Sequence, residues 1–183
     1  MATIDGRVER GNRSREAIIE ALLGLYEDGN LRPSIPEVAA RAGVSVRSVH
    51  NHFADVESLR NDAGQRQMQR LAHLWMRETT TLEQLVLHRS ELYEAITPVR
   101  RAALLQIHES PALVKLLANG DRMARQQLQE LFPGVDGDTL TALELLTSWD
   151  SWNRLRTVQG CSVARARRVF ELTIRKLIEG DAS

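Results

Sequence analysis

The sequence predicts an all-α protein of about nine helices, an N-terminal three-helix head with a helix-turn-helix followed by a larger helical body. Three observations carry this. Apolar residues recur at three- and four-residue spacing along nearly the whole chain, as in Ile18, Ile19, Leu22, Leu25 and Tyr26. No segment alternates polar and apolar residues as a strand would, and there is no internal repeat. Ser, Asp, Pro and Gly stand where helices should begin and end.

Residues 1–13 are polar, contain Gly6 and Gly11, and read as a loose arm. Arg7, Arg10, Arg13 and Arg15 outnumber Asp5 and Glu9 there. A basic arm can add phosphate or minor-groove contacts, but a solvated tail is the simpler reading of a charge run. The first helix is expected from about Arg13 to Glu27, closed by Asp28-Gly29-Asn30 and the turn at Arg32-Pro33.

The next stretch is the most informative. Ser34 can cap a helix, and Glu37 follows three residues later, as a capping box requires. Pro36 lies in the first turn, where a missing N–H costs little. Val38, Ala39 and Ala42 give a small apolar face, and Gly43 can take the left-handed conformation that ends the helix. Ser45 then caps a second helix from Val46 to about Phe53. Two short helices joined by such a turn form a helix-turn-helix, whose second helix is a candidate reader of the DNA major groove.

At about 100° per residue, Val46, Val49 and Phe53 share one face, expected to be buried. Arg47 and Asn51 point the opposite way, Ser48 and His50 flank them, and His52 lies nearer the buried side. Arg can donate twice to a guanine edge and Asn can pair with adenine. Ser48 and His50 suit phosphate oxygens. Between Glu37 and Asp55 there is no acidic residue, whereas Arg41, Arg47, His50 and His52 all lie there. The candidate DNA-binding set is Ser34, Ser45, Val46, Arg47, Ser48, His50, Asn51 and His52.

Ala-Gly-Val-Ser-Val-Arg-Ser-Val-His-Asn-His-Phe, with the preceding Ile-Pro-Glu-Val-Ala-Ala, resembles the signature of the TetR family of transcriptional regulators. Usual members have Tyr where His50 stands and commonly Lys where Val56 stands, both positions that usually touch phosphate. The motif covers roughly the first third of the chain. The remainder matches in length and helical character. The resemblance implies a homodimer that binds an operator, with a divergent helical ligand domain.

Beyond Phe53, Asp55 is the expected cap of a long helix reaching about Glu78, which would link head to body. The boundary is placed at Ala54, giving a head of residues 1–54 and an effector-binding and dimerisation body of residues 55–183. Further helices are expected at about Leu82–Ile96, from Thr97-Pro98 onward, and from Ser110-Pro111 to Phe132, with Asn119-Gly120 as a bend or break. The last two are expected at Asp138–Val158 and Ser162–Glu179. They are the candidate dimer helices, through Leu146, Trp149, Trp152, Leu155, Ala166, Phe170, Thr173 and Leu177. Trp149 and Trp152 serve equally well as intrachain core.

The middle helices are the candidate effector site. Met68, Trp75, Met76, His88, Tyr93, His108, Met123, Phe132 and, from the later helices, Trp149 are possible lining residues. Each is individually better explained as packing, since apolar stripes at helical spacing usually are; the pocket follows mainly from the family resemblance.

Composition narrows the alternatives. The formal net charge of the 183 residues is +0, so attraction to DNA must come from a local patch. The single cysteine, Cys161, excludes an intrachain disulfide framework and a thiolate zinc cluster. No His-Glu-x-x-His, Glu-x-x-His pair, phosphate loop or Gly-x-Ser-x-Gly is present, so neither catalysis nor a cofactor is expected. The first fifteen residues lack the apolar core of a secretory signal, and no apolar run spans a bilayer, so the expected location is the cytoplasm. The reading is thus a TetR-like regulator, a repressor released from its double-stranded DNA operator by an unidentified small-molecule effector. Its competitor is a dimeric helical interaction protein whose helix-turn-helix does not bind DNA.

Overall fold

The protein is described by a computed structural model, covering residues 2–108 and 111–181. Nine helices lie among the described residues: α1 Ala2–Glu27, α2 Ile35–Ala42, α3 Val46–His52, α4 Val56–Trp75, α5 Leu82–Leu104, α6 Pro111–Leu131, α7 Gly137–Leu146, α8 Trp149–Thr157 and α9 Val163–Asp181. No strand occurs among the described residues. The chain divides into two compact units, residues 1–72 with 98–106, and residues 73–97 with 107–183.

In the first unit, α1 packs on α2 and α3. Its core joins Ile18, Leu22 and Leu23 of α1 to Val38 and Ala39 of α2, Val49 of α3, Phe53, and Leu59 and Ala63 of α4. Ala102 of α5 completes it. A two-helix motif has too little apolar surface to hold itself, and α1 and α4 supply the rest. Ion pairs fasten α4 to the solvent side of α1: Arg15 to Asp62, Arg66 to Glu16 and Glu20, and Arg70 to Glu20.

In the second unit, α7 packs on α6 and α9, and α8 on α9. Its centre is aromatic. Trp152 meets the edge of Phe170 at a ring separation of 5.3 Å and lies 6.4 Å from Tyr93, separations at which tilted rings attract. Each buried indole N–H is satisfied: Trp152 Nε1 donates to Glu94 Oε1 at 2.7 Å and Trp149 Nε1 to Thr97 Oγ1 at 3.0 Å.

Several boundaries differ from expectation. Residues 2–13 are not a loose arm but the start of α1. Isolated Gly6 and Gly11 each cost only about 1 kcal/mol against Ala, no Pro intervenes, and Arg7, Glu9, Arg10 and Arg13 beside them are good helix formers. Thr97-Pro98 does not open a new helix; Pro98 lies inside α5. Pro removes one backbone donor there, and the Thr97 hydroxyl donates to Tyr93 O at 2.5 Å. Conversely, the helix expected over Asp138–Val158 is two helices. Thr147 Oγ1 donates back to Leu143 O at 2.6 Å, and Ser148 caps α8 by accepting from Ser151 N at 3.2 Å. Two adjacent hydroxyl side chains offer the backbone an alternative to helix, and the break falls there. One merger and one split cancel, so the count of nine is reached by a different partition. Asn119-Gly120 does not interrupt α6.

Candidate nucleic-acid interface

The helix-turn-helix is held by local hydrogen bonds that its sequence specifies. Ser34 is extended (φ −77°, ψ 156°) and its Oγ accepts from Glu37 N at 3.4 Å, while Ser34 N donates to Glu37 Oε2 at 2.8 Å. Asn30 Nδ2 adds a donation to Glu37 Oε1 at 3.1 Å. Hydrogen bonds from Ser34 hold the Glu37 carboxyl below its ordinary value. Gly43 has φ 68° and ψ 30°, the left-handed region. Its N–H donates to Ala40 O at 3.2 Å and Val44 N donates to Ala39 O at 3.0 Å, so the chain turns out of α2 with its last carbonyls satisfied. Ser45 (φ −76°, ψ 153°) then accepts from Ser48 N at 3.1 Å and starts α3.

The packing of α3 fixes which side faces out. Val49 is 1% exposed and Phe53 4%. The Arg15 guanidinium stands 5.1 Å from the Phe53 ring centroid while pairing with Asp62, so this arginine is structural. Opposite lie Arg47, His50 and Asn51, all exposed. Ser34 and Ser45 are exposed at the two helix starts, and Ser48 and His52 are half-buried. Val46 departs from expectation: it is 39% exposed rather than buried. It is the first residue of the seven-residue α3, and it belongs with the outward set. Arg41 also departs. It pairs with Asp28 and its guanidinium lies across Gly24, where a Cβ would come within 2.5 Å of Arg41 Nη2. The absence of acids between Glu37 and Asp55 gave no sign that Asp28, just past the end of α1, returns to neutralise it.

The motif also hid a neighbour. Ser14 Oγ lies 3.5 Å from Ser48 Oγ, so α1 runs directly beside α3. At the far side of Phe53, Asp55 caps α4: Ser58 N donates to Asp55 Oδ1 at 2.7 Å.

The body candidates separate. Met68 belongs to the first unit, and Trp75, His88, Tyr93, His108, Met123 and Trp149 to the second. Met68, Met76, His108 and Met123 are exposed, Trp75, His88 and Phe132 half-buried, and Tyr93 and Trp149 core. His88 Nδ1 is 3.0 Å from Thr79 Oγ1, and burial followed by the charge of Arg77 pushes its pKa down. That bond continues a polar chain invisible in the sequence. Gln127 Nε2 donates to Thr79 Oγ1 at 3.2 Å, and Arg89 Nε donates to Gln127 Oε1 at 3.3 Å. Arg89 is only 4% exposed, and it also donates to Thr147 Oγ1 at 2.5 Å and Ala124 O at 2.6 Å. Its charge sits at the C-terminal end of α7, where the helix dipole favours a cation.

For the dimer candidates, Trp149, Trp152, Leu155, Ala166 and Phe170 are buried within the chain itself. They are core, not an outward face, since Trp152, Phe170 and Tyr93 make up the aromatic centre of the second unit. Of the remainder, Leu146 is exposed, and Thr173 and Leu177 are half-buried.

Among the described residues no cluster of His, Cys, Asp or Glu could hold a metal ion, and no helix is long and apolar enough to cross a membrane. Cys161 is buried.

No family model and no curated protein matches the sequence. Solved structures do resemble it. A transcriptional regulator from Rhodococcus sp. Rha1 superposes with a TM-score of 0.71 at 20% identity, over 92% of this chain and 98% of that one. A protein from Mesorhizobium loti, described as a TetR-family transcriptional regulator, gives 0.62 at 18% identity, over 93% and 98%. A transcriptional regulator from Streptomyces coelicolor A3(2) gives 0.59 at 20% identity, over 88% and 98%. The chain shares the all-helical fold of these regulators over most of its length.

Proposed function

We propose that this chain, which has the fold of TetR-type regulators, is a DNA-binding transcriptional regulator that docks α3 in the major groove of an operator. It works as a homodimer and represses until a small-molecule effector bound by the second unit releases it. The observation that carries the reading is the division of α3: Val49 and Phe53 are anchored in the core, while Arg47, His50 and Asn51 stand together in solvent. Among the described residues, neither Arg47 nor Asn51 is drawn into an ion pair or side-chain bond within the chain, so both keep their donors for base edges.

Two heads related by a twofold axis would meet successive major grooves about 34–36 Å apart, or somewhat more. Leu146, Val158 and Leu172, all exposed in the last three helices and their connections, are apolar surface that a second copy would cover. Effector binding would act by favouring one head spacing over another. Residues of the first unit thus read DNA, those of the second sense and dimerise, and the protein acts in the cytoplasm.

The test is selection of bound fragments from random duplex DNA, followed by Arg47→Ala. The variant should lose about 1–3 kcal/mol of discrimination between the selected site and random duplex if the contact is bidentate. An unchanged ratio refutes the role of Arg47. Failure of the wild-type protein to bind any duplex refutes the regulator reading and leaves the helical interaction protein.

A further inference from the structure

We infer that the N-terminal end of α1 is a second DNA-contacting element, a basic helix whose Arg10 and Arg13 grip the phosphate backbone beside the groove that α3 enters. The inference rests on the DNA-binding reading of α3 and adds a surface outside the helix-turn-helix.

Four observations meet here. First, Arg10 and Arg13 lie within α1, so their side chains have a fixed register instead of the freedom of a tail. Second, Ser14 touches Ser48, which places this face of α1 against the DNA-facing helix. Arg10 is one turn earlier, about 6 Å along the axis and within roughly 40° of Ser14 around it. Arg13 lies about 60° from Arg10 and about 100° from Ser14, and Glu9, one turn before Arg13 and about 40° from it, makes no ion pair with it among the described residues. Third, Arg10 and Arg13 are exposed, and no ion pair or side-chain hydrogen bond engages them among the described residues.

Fourth, this freedom is local. Arg15, Arg41, Arg66 and Arg70, on α1, α2 and α4, are each bound to a carboxylate. Arg60, also on α4, is hydrogen-bonded with Tyr26, and Arg32 donates to Leu105 O at 3.0 Å. Glu16 and Glu20, the next acids along α1, are taken by Arg66 and Arg70. Along these helices, the arginines with no partner stand near the start of α1 and on α3. In a chain of zero net charge, a local excess of uncompensated positive charge marks where a polyanion docks. A phosphate backbone fits better than base edges, because two long cations on a helix flank meet phosphates without the fixed fork geometry that base reading needs.

The experiment uses the full chain and a duplex fragment selected by the wild-type protein, titrated over a salt series by fluorescence anisotropy. Arg10→Ala/Arg13→Ala should weaken binding to the selected and random duplexes by the same factor. It should also flatten the slope of log K against log salt by about 0.9 for each phosphate that the variant ceases to neutralise, hence roughly 2 per bound chain. Arg10→Lys/Arg13→Lys should keep most of the slope, because phosphate contacts need charge more than shape. Circular dichroism reports whether α1 stays helical in both variants. If the slope of a correctly folded double-alanine variant is unchanged while discrimination persists, the α1 contact is refuted and the α3 reading stands. If discrimination falls instead of the slope, the residues read bases and the phosphate assignment is wrong. If the wild-type protein binds no duplex, both readings fall together.

Discussion

Val46 and Val49 lie three residues apart on one turn of α3, and replacing each with Ala separates the anchor of this helix from its presented face. Val49 is 1% exposed in the core of the first unit. Truncation to Ala removes the equivalent of two methylene groups, about 1.6 kcal/mol of transfer free energy. The neighbours Val38, Leu59 and Phe53 are drawn from separate helices and a cap, so the site cannot collapse freely, and a cavity term adds about 1 kcal/mol. Ala is the better helix former and returns about 0.5 kcal/mol. Val49→Ala should therefore cost about 2 kcal/mol. Val46, being exposed, loses roughly 1 kcal/mol of transfer energy, leaves no cavity, and recovers the same propensity gain. Its net change should lie within about 0.5 kcal/mol of zero. Urea unfolding followed by circular dichroism checks this: for a slope near 2 kcal/mol/M, the Val49 variant should lose about 1 M in midpoint at unchanged slope. Val46→Ala should leave the midpoint in place and change which sequences bind, because an exposed apolar side chain on this face can meet a thymine methyl. Equal midpoint losses for both variants would refute the division of α3 on which the proposed interface depends.

Gly24→Ala sets two effects against each other. The helix gains about 1 kcal/mol, while the new Cβ displaces the Arg41 guanidinium and breaks an exposed ion pair worth about 0–1 kcal/mol. Stability should stay level or rise slightly in urea, and a loss above about 2 kcal/mol would show that Arg41 cannot move aside. Glu37 gives a pH dependence with a definite sign. Its folded pKa lies below the ordinary 4.5, so its contribution is present above that pH and fades as pH falls through the lower folded value. Ser34→Ala should shrink the acid-side decline in head stability, measured by unfolding midpoints from neutral pH downward. A decline of the same size in wild type and variant would remove this pair as its cause.

The short-range physics was legible in the residues. Ser34 with Glu37, Gly43 and Ser45 each satisfy backbone groups within four positions, so the caps and turn of the helix-turn-helix follow from composition and spacing. Apolar periodicity likewise identified an all-helical chain and the burial of Val49 and Phe53. Tertiary structure decided whatever depends on residues distant in sequence. Val46 faces solvent although it shares a stripe with the buried Val49, Arg41 is spent on Asp28, and Trp152 is core because Phe170 and Tyr93 come to meet it. Helix periodicity says which residues share a stripe, but not how wide a stripe its neighbours cover, nor which charges fold back to cancel one another. Those are properties of packing between segments that can lie tens of residues apart, and they determine which cations of the head remain unpaired.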